Sequence, residues 1–536
     1  MLLKRIYPGA LACVSQPCIE LGRSSKPSNS YNFLETLCTP AEACCVFRQR
    51  CSRYDLGPGA SIVNKPPVHN HHQRFSESSS RRTLCNAGNL TASLILCIAL
   101  VFTTGGCGRK QYLDESEREL DTAGPSATLD HLAAYYPSGI SLNGPGYIVG
   151  IEESPAQWIS EPGDLKIHPI KGSGERIGFL LNKLQNEPLQ YISQVYRYRG
   201  RTFGEGNCAL YHLYDLHHEG VMPKCGEPGE FPAEQKRNYR NVFKNGWQAL
   251  DMLKYQLEAD IATGRYSHLL ILMMGLNTPQ EEAIRNFNSI VRAMHRAGGS
   301  RFNPLVIGIT WPSYSSSDWF SPIWDSLNYL PKAHTADKIG LSWAGALLYD
   351  VVKPLKERIT TVVIAHSFGA RAMSMAICIG PAIRRNQHAD PLGNGQVVDY
   401  FIALEAAFSL LRFSDTVYPF YEDIYYANGC DRAGKVILTV SQYDSATPNA
   451  FWADHAGNFD FYDGFCESEH PYGVACVSAN SAGVMKAPFD HNVQMVYVDT
   501  SEIMRFDVPG TSGGAHSDIF RLPTGRLMWS FISEEN

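Results

Sequence analysis

From residue 265 onward, runs of nearly unbroken apolar residues alternate with stretches whose apolar positions recur every three to four residues. The runs at 269–274, 305–310, 361–365, 397–404, 435–440 and 493–498 are short and rich in Val, Ile and Leu, which predicts strands. The stretches at 280–296, 338–356 and 368–379 predict helices between them. Strands that are apolar on both faces and alternate with helices predict a mostly parallel sheet covered on each side. Upstream, 147–151 and 191–196 predict further strands, separated by turns with Gly and Pro. Trp247, Leu250, Leu253 and Leu257 mark one face of a helix over 239–262. The expected organisation is an N-terminal α+β extension at 131–264 and an α/β domain at 265–536.

The first 130 residues lack this texture. Residues 1–83 are rich in Ser, Arg and His without apolar periodicity, which predicts either disorder or an overextended start. The second reading draws on the methionines: after Met1 the next is Met222, so translation beginning near Leu84 at a non-Met codon is also expected. Residues 84–107 have the parts of an export signal. Arg81-Arg82 precede an apolar stretch from Leu94 to Phe102, and Thr103-Thr104-Gly105-Gly106-Cys107 follows. The ending Gly105-Gly106-Cys107 resembles a bacterial lipobox, with Thr104 where that pattern prefers Leu. It implies lipidation of Cys107, a charged tether at 108–130, and attachment at a membrane surface without spanning it. The expected location is the cell envelope of a bacterium; a plain signal peptide or an apolar anchor is the alternative. A net charge of −6 on 536 residues gives no sign of nucleic-acid binding.

Chemistry concentrates at strand ends, where parallel sheets place reacting groups. The run at 361–365 leads directly into His366-Ser367-Phe368-Gly369, and a small-residue helix follows. Ala365 and Gly369 are the small neighbours that a sharp strand-to-helix turn requires, so Ser367 is the candidate nucleophile. Such a serine needs a base and an orienting acid, arriving in the order Ser, acid, His. His516 is the histidine beyond the last expected strand and is the candidate base, with His455, His470 and His491 as competitors. Asp444, just past the 435–440 strand, is the candidate acid, and Glu405, past 397–404, the alternative acid. The backbone amides of Phe368 and Leu276 are the candidate oxyanion donors, with Gly275 permitting close approach.

The blocks Gly275-Leu276-Asn277-Thr278, Thr310-Trp311-Pro312-Ser313 and Ala365-His366-Ser367-Phe368-Gly369 resemble a bacterial α/β-hydrolase family that long lacked an assigned function. The segments Ser441–Ala446 and Ala515-His516-Ser517 are similar to its acid and base segments, and the match spans about residues 265 to 520. Departures are Met274 where the family has His, and Phe368 where it has Met. The resemblance implies an α/β-hydrolase fold and esterase- or lipase-like acyl chemistry, and it gives no substrate. The expected substrate is a small-molecule or lipid ester, and a Ser-His-Asp triad needs no metal or organic cofactor. The alternatives are a peptidase or thioesterase on the same triad, or an envelope binding protein on a degenerate hydrolase fold.

Two aromatic stretches, at 314–330 and 451–490, are expected near the site as lid, pocket lining or rim, with core packing the alternative for the first. Nine of the fifteen cysteines lie at or before Cys107. Export would permit Cys208–Cys225 and Cys466–Cys476 disulfides, and Cys378 reads as a small buried residue. The group His212, Asp215, His217, His218 and Glu219 has no metal-ligand spacing and reads as surface.

Overall fold

The computed structural model describes residues 141–154, 165–170, 175–186, 189–199, 206–213, 223–225, 242–313, 332–385, 395–413, 424–426, 429–446, 455–470, 473–490, 492–507 and 513–533. The expected extension, export signal, lipidation candidate Cys107 and tether lie outside these residues. So do the 314–330 aromatics, His491, and all of the histidine-rich group except His212.

Ten strands form one sheet. They are β1 Gly146–Ser154, β2 Leu189–Tyr198, β3 Cys208–His212, β4 His268–Met273, β5 Pro304–Thr310, β6 Thr360–His366, β7 Val398–Leu404, β8 Ala433–Val440, β9 Val474–Ser478 and β10 Met495–Asp499. Their spatial order is β3-β2-β1-β5-β4-β6-β7-β8-β10-β9. Every pair from β1/β5 to β10/β9 is parallel; only β1/β2 and β2/β3 are antiparallel. Residues 141–213 therefore continue the sheet beyond β5. This is the α/β-hydrolase fold, a mostly parallel sheet flanked by helices with an N-terminal extension.

The sheet is buried because alternate residues of each strand feed different cores. On β4, Leu269, Ile271 and Met273 join one apolar cluster, while Leu270 and Leu272 join the other. The first cluster receives α2 (Val242–Ala262, after α1 at Glu175–Asn186) and a helical stretch over 332–358. It also receives α4 (Phe368–Ser374). The second receives α3 (Gln280–Gly298) and α6 (Leu522–Ser533); a short α5 (Tyr462–Cys466) lies between β8 and β9. Helix α3 begins after Pro279 with Glu281 and Glu282 in its first turn and ends on His295 and Arg296, charges that suit the helix dipole.

Two expectations need correction. The stretch expected as one helix at 338–356 runs over 332–358 and is interrupted by π-helical turns at Gly340–Ala344 and Leu347–Val352. Cys378 is not merely a small buried residue: it is bonded to Cys430, which ties the helix behind Ser367 to the β7–β8 connection. The other disulfides are Cys208–Cys225 and Cys466–Cys476, and each holds an outermost strand of the sheet, β3 and β9.

Candidate active site

Three parallel strands end side by side at β6, β7 and β8, and each end carries one candidate group. Ser367 follows β6 with φ 54° and ψ −123°, a backbone conformation that costs a non-glycine residue on the order of 1–3 kcal/mol. Packing on both sides holds it there. The Ser367 amide donates to the Leu404 carbonyl at 3.0 Å, and its own carbonyl accepts from the Arg371 amide at 3.2 Å to open α4. Ser367 is 6% exposed, so the residue is buried.

The loop after β4 presses on it. A Cβ on Gly275 would fall 2.6 Å from the Ser367 Cβ and 3.1 Å from its Oγ, so only glycine fits. The rest of the loop is fixed by the segment after β5. The Asn277 amide donates to the Ser313 carbonyl (3.0 Å) and the Thr278 amide to the Ser313 hydroxyl (3.2 Å). That hydroxyl donates to the Thr278 carbonyl at 2.7 Å. Trp311 Nε1–H donates to the Met274 carbonyl at 2.8 Å. The main chain and the Trp311-Pro312-Ser313 segment thus order the loop, while the Met274 side chain is buried in the second core. Phe368, the first residue of α4, follows Ser367 directly, and Leu276 follows Gly275 in the loop that touches the serine.

The acid and base turns are stitched together by main-chain pairing. Asp444 bridges Gly514, the Ala515 amide donates to the Tyr443 carbonyl (2.9 Å), and the Ser445 amide to the Gly513 carbonyl (3.0 Å). This pairing brings His516 Nδ1 to 2.8 Å from Asp444 Oδ2, with the Asp444 side chain fully buried and the His516 side chain 11% exposed. The other carboxylate oxygen, Oδ1, accepts from the Ala446 amide at 2.7 Å. An acceptor at Nδ1 leaves Nε2 of a neutral imidazole free to take a proton.

Glu405 lies at the neighbouring strand end with φ 43° and is fully buried. Its Oε1 accepts from Thr439 Oγ1 at 3.1 Å. Burial first, and the nearby Asp444 carboxylate second, push this carboxyl well above the usual range. The two competing histidines among the described residues are engaged elsewhere. His455 is buried in a bridge to Ser409, and His470 Nε2 lies 2.9 Å from the Phe465 carbonyl.

Two features of the site had no role assigned from sequence. His366 Nε2 lies 2.9 Å from the His516 carbonyl, and the two rings are 4.6 Å apart. Burial chiefly, and the His516 ring next, hold His366 down to about 3, so it is neutral and its Nε2–H is the donor. The second feature is a buried ion cluster behind α4. Arg371 pairs bidentately with Asp337 (2.9 and 2.8 Å), and Arg412 reaches the same carboxylate at 3.3 Å. Arg371 lies four residues after Ser367, one turn along α4, and its position in the motif was the only hint. The 451–490 stretch forms a packed aromatic group within its described part. The rings of Tyr462 and Phe465 meet Tyr497 of β10 at 4.8 and 5.7 Å. Among the described residues no group of three or more His, Cys, Asp or Glu stands where a metal ion would be held. Nor, among them, is any helix long and apolar enough to cross a membrane.

No protein-family model and no curated protein matches this sequence. Among solved structures, the chain is similar to a Trichoderma reesei cutinase in complex with a phosphonate inhibitor. The identity is 13%, the TM-score 0.17, and the match covers 32% of this chain and 69% of the cutinase. It is also similar to an acetylxylan esterase at 0.90 Å resolution, with 10% identity, a TM-score of 0.22, and coverage of 50% of this chain and 98% of the esterase. An iodinated acetyl xylan esterase aligns at 11% identity and a TM-score of 0.23, covering 49% of this chain and 96% of that one.

Proposed function

We propose that this chain is a serine hydrolase that cleaves an ester of a small molecule or lipid through Ser367, His516 and Asp444. The observation that carries the reading is the 2.8 Å contact between His516 Nδ1 and Asp444 Oδ2, made beside a serine at a positive-φ turn between strand and helix. Ser367 Oγ attacks the ester carbonyl while His516 Nε2 takes its proton, and Asp444 stabilises the imidazolium through Nδ1–H. The amides of Phe368 and Leu276 receive the developing oxyanion. His516 then protonates the leaving alcohol and, after that departs, activates water to release the acid and restore Ser367.

Fluorophosphonate labelling of the folded protein tests this reading. Label on the Ser367 peptide, absent from Ser367→Ala, is the expected result. Undiminished labelling of the variant, or none of the native protein, would overturn it. A panel of esters, thioesters and peptides then sorts the acyl chemistry.

The same proposal includes export. Disulfides persist in oxidising compartments, and the described residues hold three. Lipidation at Cys107 is the expected anchor, and mass spectrometry of the mature N-terminus reads both the cleavage site and the acyl chain.

A further inference from the structure

We infer that Glu405 is a positioning residue for the triad: an un-ionised carboxylic acid that donates its proton to Asp444 and so moderates that carboxylate's hold on His516. This deepens the serine-hydrolase reading and rests on it for its kinetic part.

The geometry starts from burial. Glu405 is 0% exposed, at the end of β7, between the strands that lead to Ser367 and Asp444. Its backbone amide donates to Thr439 Oγ1 at 3.0 Å, and the same hydroxyl lies 3.1 Å from Oε1. Thr500 Oγ1 lies 3.4 Å from Oε1, but its better acceptor is the Val440 carbonyl at 2.9 Å. Oε2 is buried without a donor, and Asp444 is the neighbouring carboxyl that acts on Glu405 both as a charge and as a side-chain hydrogen-bond partner. The groups that act on Glu405 most are therefore Asp444, the Thr439 hydroxyl and the Ser441 amide, none of them a cation. The other titratable group facing it is Tyr497, buried on β10 and pushed up chiefly by burial.

A carboxylate in that setting would lie beside a second carboxylate, without solvent and with one hydroxyl and one amide to spread its charge. Burying one charge unpaired is expensive, and adding a like neighbour makes it worse. One proton kept between the two groups removes the conflict. Asp444 is the member that must stay ionised, because its Oδ2 already accepts from His516 and its Oδ1 from an amide. The proton therefore belongs on Glu405, where it becomes a donor aimed at the triad acid, the use to which buried neutral carboxylic acids are put elsewhere.

The direction of the pH effect distinguishes this from the other arrangements. In Glu405→Leu the donor is lost, Asp444 binds the imidazolium more strongly, and the acid limb of kcat/KM moves up by roughly one pH unit. Glu405→Gln supplies an amide donor and returns the limb toward its native position. An ionised Glu405 gives the opposite sign: both variants lose a negative charge near His516, and the limb moves down. An unmoved limb in Glu405→Leu means a space-filling role. Either result overturns the inference.

A second readout is independent of catalysis and of whether Glu405→Leu folds. The infrared difference between the native protein and Glu405→Gln at neutral pH carries the carbonyl stretch of an un-ionised acid if the inference holds, and a carboxylate stretch if it fails. Fluorophosphonate labelling of the native protein is run alongside. A labelled Ser367 with a carboxylate band sinks the Glu405 assignment alone. An unlabelled Ser367 sinks the hydrolase reading, and the infrared band still decides the proton.

Discussion

His366 Nε2–H donates to the main-chain carbonyl of His516 at 2.9 Å, so the residue before the candidate nucleophile holds the backbone of the candidate base. The bond crosses 150 positions of sequence and ends β6 on the loop that carries His516. Replacing His366 by Phe keeps a ring against His516 and removes the donor. The expected result is a fall in kcat of roughly tenfold, about 1.4 kcal/mol, with KM little changed. His366→Gln, whose amide donates from a similar reach, should recover part of it. Steady-state kinetics on the three proteins checks this.

The same side chain makes the fold acid-sensitive in a defined window. His366 is held down to about 3 in the folded protein, chiefly by burial, against about 6.5 for an exposed histidine. The unfolded chain therefore binds a proton that the folded chain refuses. The stability contributed by the neutral ring is complete above about pH 6.5 and is lost as pH falls toward 3, at up to about 1.4 kcal/mol per pH unit. Urea unfolding at several pH values should give a shallower acid slope for His366→Phe than for the native protein.

Asp444→Asn is nearly isosteric, and its carbonyl oxygen keeps the turn to the Ala446 amide. The amide nitrogen it presents to His516 Nδ1 is a donor, so the imidazole takes the tautomer with its proton on Nε2 and loses its power as a base. The expected loss in kcat is on the order of 10⁴-fold, with the melting temperature nearly unchanged. A loss of only a few-fold would mean that another carboxyl supports His516.

Gly275→Ala inserts a methyl 2.6 Å from the Ser367 Cβ. The loop after β4 must back away, which carries the Leu276 amide out of reach of the oxyanion. A fall in kcat/KM of about 10²-fold or more is expected, together with slow fluorophosphonate labelling. Labelling at the native rate would remove the loop from the site.

Asp337→Ala leaves Arg371 and Arg412 buried without their shared counter-charge. The expected cost is about 3–5 kcal/mol, read by denaturant unfolding. Because Ser367 caps α4, activity should fall before global unfolding as denaturant is raised.

Much of this was legible in the chain. Strands β4 to β8 and β10 stand out because both of their faces are buried, so almost every position is apolar. The Ser367 turn is legible because a strand, a small residue on each side and a helix must coincide within a few positions. What escaped depends on partners distant in sequence. Nothing near His366 tells that its ring will meet a carbonyl at 516, and Cys378 is silent about Cys430. Strand β9 is five residues long and only its fourth is buried, so it lacks the apolar run that marks its neighbours. The π-helical turns within 332–358 arise where Gly340 and Gly345 bring that stretch against α4 and Pro381, a tertiary requirement with no local periodicity.

A sheet of ten strands has two rims, and a rim is a template on which another chain can add a strand. Here each rim is locked. At β3 the Cys208–Cys225 bond holds residues 223–225 along the outer side, where the Ala209 amide donates to Pro223 and the Cys225 amide to Ala209. At β9 the Cys466–Cys476 bond pins the strand to α5, and Lys486 donates its amide to Ser478. The two disulfides thus hold in place the segments that cover the outer edges of β3 and β9. Reduction removes the covalent hold on both covers and leaves each edge to its main-chain hydrogen bonds alone, so self-association through added strands is expected to rise in reduced protein, read by light scattering.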